Sequence, residues 1–211
     1  VSEHGTPMTS EAAHFWEERY ATRPKVWSGR ANPPLAAAIA GLKPGRALDL
    51  GAGEGGDAVH LAALGWHVTA VDISPTALER VREHAADAGV GGRVVTERHD
   101  LAVSFPDGEF DLVAALYLQT PFVFPRDEVL RRAAGALAPG GTLLVVEHGS
   151  DRPWGWNRED PYPTPREIFD GLDLDPAVFE AARLDTPSRE ASGPDGETAV
   201  VTDTVVAVRR R

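Results

Sequence analysis

Short apolar runs punctuate this chain, and between them the apolar positions fall three and four residues apart. The first pattern marks buried strands and the second marks amphipathic helices. Arg46 to Leu50, Trp66 to Val71 (with Asp72 at its end), Arg93 to Arg98, Phe110 to Leu116 and Thr142 to Glu147 read as strands. The segments between them read as helices. One runs from Gly55 or Gly56 to Leu64 and stops at Gly65; the next follows Ser74-Pro75, an N-cap with proline at the first helical position, and stops at Gly89. A third covers Arg126 to Leu137 and is broken by Pro139-Gly140-Gly141. Strands separated by helical segments imply a parallel sheet.

Two helices precede this alternation. Ser10 caps Glu11 to Ala21, whose Phe15, Trp16 and Tyr20 form an apolar stripe, and Asn32-Pro33 opens a second helix through Leu35, Ala38, Ile39 and Leu42. Past Glu147 the rhythm breaks. Pro153, Trp154, Trp156, Pro161, Tyr162 and Pro163 read as an ordered surface loop, and a short helix spans Thr164 to Gly171. Val178 to Thr186 and Thr198 to Val208 are expected to pair as a hairpin around Ser192-Gly193-Pro194-Asp195-Gly196.

Composition narrows the chemistry. The 211 residues carry a net charge of −11 and no cysteine. An acidic surface disfavours sequence-independent nucleic-acid binding, which displaces phosphate counterions with basic groups. Without thiols there is no disulfide framework, thiolate zinc site or cysteine nucleophile. The histidines show no zinc-ligand spacing, so no metal is expected. No run is long and apolar enough for a bilayer span and residues 1–14 lack a signal-peptide core, which sets the expectation of a cytoplasmic protein without a membrane partner.

The stretch Leu48-Asp49-Leu50-Gly51-Ala52-Gly53-Glu54-Gly55-Gly56 joins the first strand to its helix. Glycines let the backbone turn sharply and approach a ligand, and the helix that follows aims unpaired N–H groups at it. Asp72, ending the second strand, is placed to accept hydrogen bonds from ribose hydroxyls. Gly51, Gly53 and Gly56 satisfy the dinucleotide spacing, whereas Gly51, Gly53 and Gly55 satisfy the looser spacing of an S-adenosylmethionine site. Asp49 fits a diphosphate poorly and a cofactor ammonium group well, and Glu54 adds a second negative charge within the loop. Both favour S-adenosylmethionine over NAD. Ile73, next to Asp72, is placed against the adenine, with a core position as its other reading.

Asp49-x-Gly51-x-Gly53-x-Gly55, Asp72, His99-Asp100-Leu101, Phe110-Asp111-Leu112-Val113 and Ala138-Pro139-Gly140-Gly141-Thr142-Leu143 follow in that order. This series resembles class I S-adenosylmethionine-dependent methyltransferases. The segments Phe15-Trp16-Glu17-Glu18-Arg19-Tyr20 and Val26-Trp27-Ser28-Gly29-Arg30 are similar to the cap of the small-molecule branch that includes tellurite-resistance and thiopurine-type enzymes. The resemblance implies one α/β, doubly wound Rossmann-like domain over residues 1–211, with cap helices (1–43), a cofactor-binding core (44–147) and an acceptor-side loop and hairpin (148–211). It also implies a mostly parallel seven-stranded sheet with an antiparallel C-terminal strand. Further implications are that Asp100 accepts from the adenine amine, that Leu101 offers a backbone contact, and that Asp111 is structural.

The reaction so implied is methyl transfer from S-adenosylmethionine to a small-molecule acceptor. The catalytic candidates are His148, whose ordinary pKa of about 6.5 suits a general base, and Tyr117, which follows the fourth strand where the methyl emerges. Glu147 is a second candidate base. Leu116 adjoins the cofactor, with core packing as its other role. Tyr20 and Trp27 in the cap are candidate cofactor contacts, since aromatic faces attract a sulfonium cation by roughly 0.5–2 kcal/mol. Trp154, Trp156 and Tyr162 are candidate walls for the acceptor. Two other classes fit parts of the pattern: an NAD-dependent oxidoreductase, and a non-catalytic S-adenosylmethionine-binding protein.

Overall fold

The computed structural model describes residues 11–154, 161–193 and 195–211. The first helix, α1 (Glu11–Ala21), and α2 (Pro33–Ile39) precede β1 (Arg46–Leu50), α3 (Gly56–Ala63), β2 (His67–Asp72) and α4 (Pro75–Asp87). A single 3-10 turn at Gly91–Arg93 leads into β3 (Val94–Arg98), followed by β4 (Phe110–Leu116), α5 (Arg126–Gly135) and β5 (Leu137–His148). The chain closes with α6 (Pro165–Gly171), β6 (Phe179–Asp185), β7 (Ser188–Ser192) and β8 (Thr198–Arg210). The proposed Ser10 cap and Trp156 lie outside the described residues. Among the described residues no helix is long and apolar enough to cross a membrane.

The strands form one sheet in the order β3-β2-β1-β4-β5-β8-β6, with β7 paired to β8 off this path. Strands β3, β2, β1, β4 and β5 run parallel, and β8 enters antiparallel between β5 and β6. The order reverses between β1 and β4, which opens a crevice at the carboxyl ends of these two strands. Alternation along each strand assigns side chains to two cores. Ala47, Val68, Ala70, Leu112, Ala114, Leu144 and Val146 face α2, α3 and α4. Leu48, Leu50, Val71, Val113, Ala115, Leu143 and Val145 face α5 and α6. Burial on both faces explains why these strands read as continuous apolar runs.

Among the described residues the sheet has eight strands where seven were expected. β8 is 13 residues long, and its first half pairs with the extra strand β7 while its second half lies between β5 and β6. The expected pairing of the Val178–Thr186 and Thr198–Val208 segments is present as β6 with β8. Pro139-Gly140-Gly141 was read as a break between helix and strand; it lies within β5, where Leu137 already pairs with Phe110 before a register shift. Space explains the glycine at 141: a Cβ there would stand 2.9 Å from the Phe110 carbonyl oxygen.

Candidate functional site

Crevice and glycine loop coincide. Gly51, Gly53 and Gly55 have φ of 70°, 53° and 83°, the left-handed region that favours glycine. Gly55 is the N-cap of α3. Asp72, 8 % exposed at the end of β2, ties this loop down: its Oδ2 accepts from Gly53 N–H at 2.9 Å and its Oδ1 from Ser74 N–H at 3.0 Å. Ser74 caps α4 itself, accepting from Ala77 N–H, so Asp72 is not needed for that task. Burial raises the Asp72 pKa, against the pull of its backbone donors.

Asp49 lies behind the loop, 3 % exposed, and its Oδ2 has no hydrogen-bond partner. Burial first, then the nearby Asp57 and Asp72 carboxylates, push its pKa well above the ordinary value, while the Ala58 N–H opposes. A buried carboxylate oxygen without a partner is costly unless a cation meets it. The residues therefore fit a ligand that brings an ammonium group to the loop, and the glycines leave room for its backbone-close approach.

Glu54 has a different role from the one its position suggested. Instead of offering free negative charge to the crevice, its carboxylate is salt-bridged to Arg80 of α4 at 2.6 Å and accepts from Val26 and Trp27 N–H. Asp49 alone is consequently left to disfavour a diphosphate in the loop. Gly56 also changes meaning. A Cβ there would stand 2.7 Å from the Arg30 carbonyl oxygen, so this glycine serves the close passage of the cap segment. That accounts for the dinucleotide-like spacing without a dinucleotide.

The cap closes on the loop from above. Tyr20 is 3 % exposed, and its hydroxyl accepts from Trp27 Nε1–H at 2.8 Å. Both side chains stand just over 3 Å from where a Gly53 Cβ would be. Burial pushes the Tyr20 phenol above its ordinary pKa, so it stays neutral. Glu17 of α1 bonds Ser74 Oγ–H at 2.6 Å and both the N–H and the hydroxyl of Thr76 at the start of α4. Phe15 meets Phe122 edge-on and Trp16 donates to Thr120, beyond β4. Helix α1 thereby touches the segments after β2 and β4 and the glycine loop between them. Arg30 is exposed.

Ile73 is half-buried, and its carbonyl accepts from Arg98 Nε–H. Asp100 closes the turn after β3, its Oδ1 accepting from Ala102 N–H at 3.1 Å. The Leu101 side chain is buried in the core facing α5, and that of Leu116 in the opposite core. Asp111 accepts from Arg46 N–H at 2.8 Å, as its structural reading implied.

His148 at the end of β5 stacks on Tyr117, with ring centroids 4.4 Å apart and planes 23° apart. Burial, with Arg152 and Arg189 nearby, pushes the His148 pKa down to about 3. The imidazole is neutral at pH 7 but a much weaker base than its ordinary value promised. Glu147 is engaged by the Arg126 guanidinium. Tyr162 donates to Asp151 at 3.0 Å, and Trp154 packs beside Gly193 in the turn between β7 and β8. Arg189 and Asp203 were not found by sequence reasoning; β7 reads Ser-Arg-Glu-Ala-Ser, too polar to announce a strand. Tyr117 has φ of 53°, unusual for a bulky side chain.

Residues 47–141 match the model of a methyltransferase domain. The chain is 37% identical over 138 residues to 27-O-demethylrifamycin SV methyltransferase of Amycolatopsis mediterranei, covering 62% of this chain and 48% of that protein. It spans about half the length of the curated relatives it matches. A structure solved in work on conversion of a disulfide bond into a thioacetal group during echinomycin biosynthesis superposes with a TM-score of 0.72 at 28% identity, covering 94% of this chain and 91% of that one. TehB from Haemophilus influenzae shares the fold with a TM-score of 0.69 at 16% identity, covering 93% of this chain and 67% of that one. Family model, relatives and fold agree with the ordered motifs and with the crevice they build: residues 47–141 match a methyltransferase domain, and the chain is similar to S-adenosylmethionine-dependent methyltransferases of class I.

Proposed function

We propose that the protein transfers a methyl group from S-adenosylmethionine to a small-molecule acceptor, leaving S-adenosylhomocysteine. The observation that carries this reading is the buried, unpartnered Asp49 Oδ2 behind three left-handed glycines. In it, Asp49 meets the ammonium group of the donor. Gly51, Gly53 and Gly55 follow its methionine and ribose portions, and Asp72 accepts from the ribose hydroxyls with the lone pairs its two backbone donors leave free. Ile73 flanks the adenine, Leu101 offers it a backbone contact, Asp100 accepts from its amine, and Leu116 lies beneath. Tyr20 and Trp27 cover the loop from the cap side.

The donor supplies an electrophilic methyl on a sulfonium centre. The chain's residues position, desolvate and exclude water, which accounts for much of the acceleration when the acceptor is already nucleophilic. His148 and Tyr117 wall the acceptor side in this reading. His148 receives a proton only from a strongly acidic group, so an acceptor that is nucleophilic without a strong base, such as a neutral amine or a thiolate, suits the site better than a hydroxyl. The rifamycin relative is named as acting on a demethylated natural product, which supports a metabolite acceptor. The net charge of −11 supports a partner other than nucleic acid. A cytoplasmic setting belongs to the same reading.

Isothermal titration with S-adenosylmethionine, S-adenosylhomocysteine and NAD tests the donor. Binding of the first two, without NAD, is expected. No binding of either at millimolar concentration rejects the proposal. Transfer of labelled methyl to a panel of phenols, quinols, thiols and amines then tests catalysis; donor binding with no turnover across the panel favours the non-catalytic reading.

A further inference from the structure

Register places a group of residues on one face of the C-terminal sheet. Asp203 of β8 lies opposite His148 of β5, and Arg189 of β7 lies opposite Val201, two residues from Asp203 and on the same side of the strand. Arg189 Nε–H donates to Asp203 Oδ2 at 2.6 Å and its Nη2–H donates to Oδ1 at 3.2 Å. Asp203 is fully buried. The same Nη2–H donates to the Tyr117 hydroxyl at 3.1 Å, and burial, then the buried Asp203 carboxylate close by, raise the Tyr117 pKa. Arg189 thus ties the tyrosine to the ion pair.

That tyrosine needs holding. Tyr117 sits directly after β4, where strand alternation would align it with Glu147; its left-handed φ breaks the alternation, and its ring lies on His148. A bulky residue keeps such a conformation only where its surroundings impose it. The next residue, Leu118, fills the space over Gly51, its Cδ1 only 2.7 Å from where a Cβ would be. The strained residue therefore bridges the glycine loop and the C-terminal hairpin.

We propose that Arg189 and Asp203 are positioning residues of the acceptor pocket, fixing the Tyr117 ring on His148 at the point where the methyl leaves the donor. The proposal rests on the methyltransferase reading. Neither residue touches the reacting atoms; both act through Tyr117. A buried ion pair is weak support for stability compared with apolar packing, and its retention here serves a fixed geometry.

The test uses the full chain and the variants Arg189→Gln, Arg189→Lys and Tyr117→Phe. The ring protons of His148, assigned with His148→Gln, are read by NMR, because a stacked tyrosine shifts them strongly. S-adenosylhomocysteine affinity is read by calorimetry. Arg189→Gln is expected to abolish the ring-current shift while leaving S-adenosylhomocysteine affinity within about twofold, and Arg189→Lys to restore part of the shift. With an acceptor from the panel, KM for the acceptor rises about tenfold and KM for the donor stays put. If Arg189→Gln does not fold, Tyr117→Phe, which keeps the ring and loses only the hydroxyl, is expected to lose the shift in the same way. Unchanged His148 signals in the folded variants overturn this proposal alone. Absence of S-adenosylhomocysteine binding by the wild type overturns the donor reading instead.

Discussion

Arg80 of α4 bonds Glu54 of the glycine loop at 2.6 Å, while its other terminal nitrogen donates to the carbonyls of Tyr20 and Arg23. One guanidinium thus clamps three pieces of chain that are distant in sequence. Glu54 is 3 % exposed, so removing the cation strands a buried carboxylate. Arg80→Met is expected to destabilise the protein by about 3 kcal/mol and to weaken S-adenosylhomocysteine binding by loosening the cap. Arg80→Met with Glu54→Gln should recover much of the stability and little of the affinity. Chemical denaturation and calorimetry on the two variants check both halves.

Asp49 sets stability against binding. Burial and two neighbouring acids hold its folded pKa above the unfolded value, so the stability it contributes is fullest at low pH and falls as the carboxyl ionises with rising pH. At pH 7 the ligand-free protein carries that cost. Asp49→Asn is expected to raise stability by about 1 kcal/mol, roughly 2–4 °C in Tm for a chain of this size. The same change should lower S-adenosylhomocysteine affinity at least about tenfold by removing a charge-assisted hydrogen bond. A variant that melts lower and binds as well as wild type contradicts this account.

His148 gives the opposite sign. Its folded pKa of about 3 lies below its ordinary value of 6.5, so the unfolded chain takes up its proton first. Its contribution is complete above pH 6.5 and is lost as pH falls towards 3. Between pH 7 and pH 4.5 that loss comes to about 2 kcal/mol. His148→Gln should remove it, giving a shallower decline in stability over this window when the two proteins are compared by denaturant titration at each pH. The buried acids titrate in both proteins and cancel in the comparison.

Gly56 provides a test of close approach. It lies in a helix, where alanine ordinarily stabilises by about 0.5–1 kcal/mol relative to glycine. Here a Cβ would stand 2.7 Å from a backbone oxygen of Arg30, an atom that moves only with the cap segment. Gly56→Ala is expected to cost about 1–3 kcal/mol instead, and a thermal melt reveals the sign.

The cofactor half of the molecule was legible because its signals are local. Apolar runs buried on both faces announce the parallel strands, and Gly51, Gly53 and Gly55 announce the turn they make. Ser74-Pro75 named a helix start that the Ser74 cap realises. The C-terminal part was harder, because its defining contacts are long-range. Nothing near Arg189 in the chain points to Tyr117, 72 positions away. Glu54 misled for the same reason: its partner Arg80 lies one helix further on, and proximity to the glycines looked like exposure to the crevice. His148 kept its place, and its basicity changed through burial and two arginines that no local pattern reveals.

The length of β8 has a final consequence. Val205 to Val208 anchor it in the middle of the sheet, whereas Thr198 to Thr202 carry β7 out beyond it. In the proposed reading, a single strand is welded at one end into the scaffold that holds the donor and at the other bears a ribbon beside the acceptor. Such a layout lets the outer ribbon be exchanged like the bit of a drill: a grafted hairpin would inherit the chuck unaltered, and what is methylated can diverge without retooling how the methyl is held.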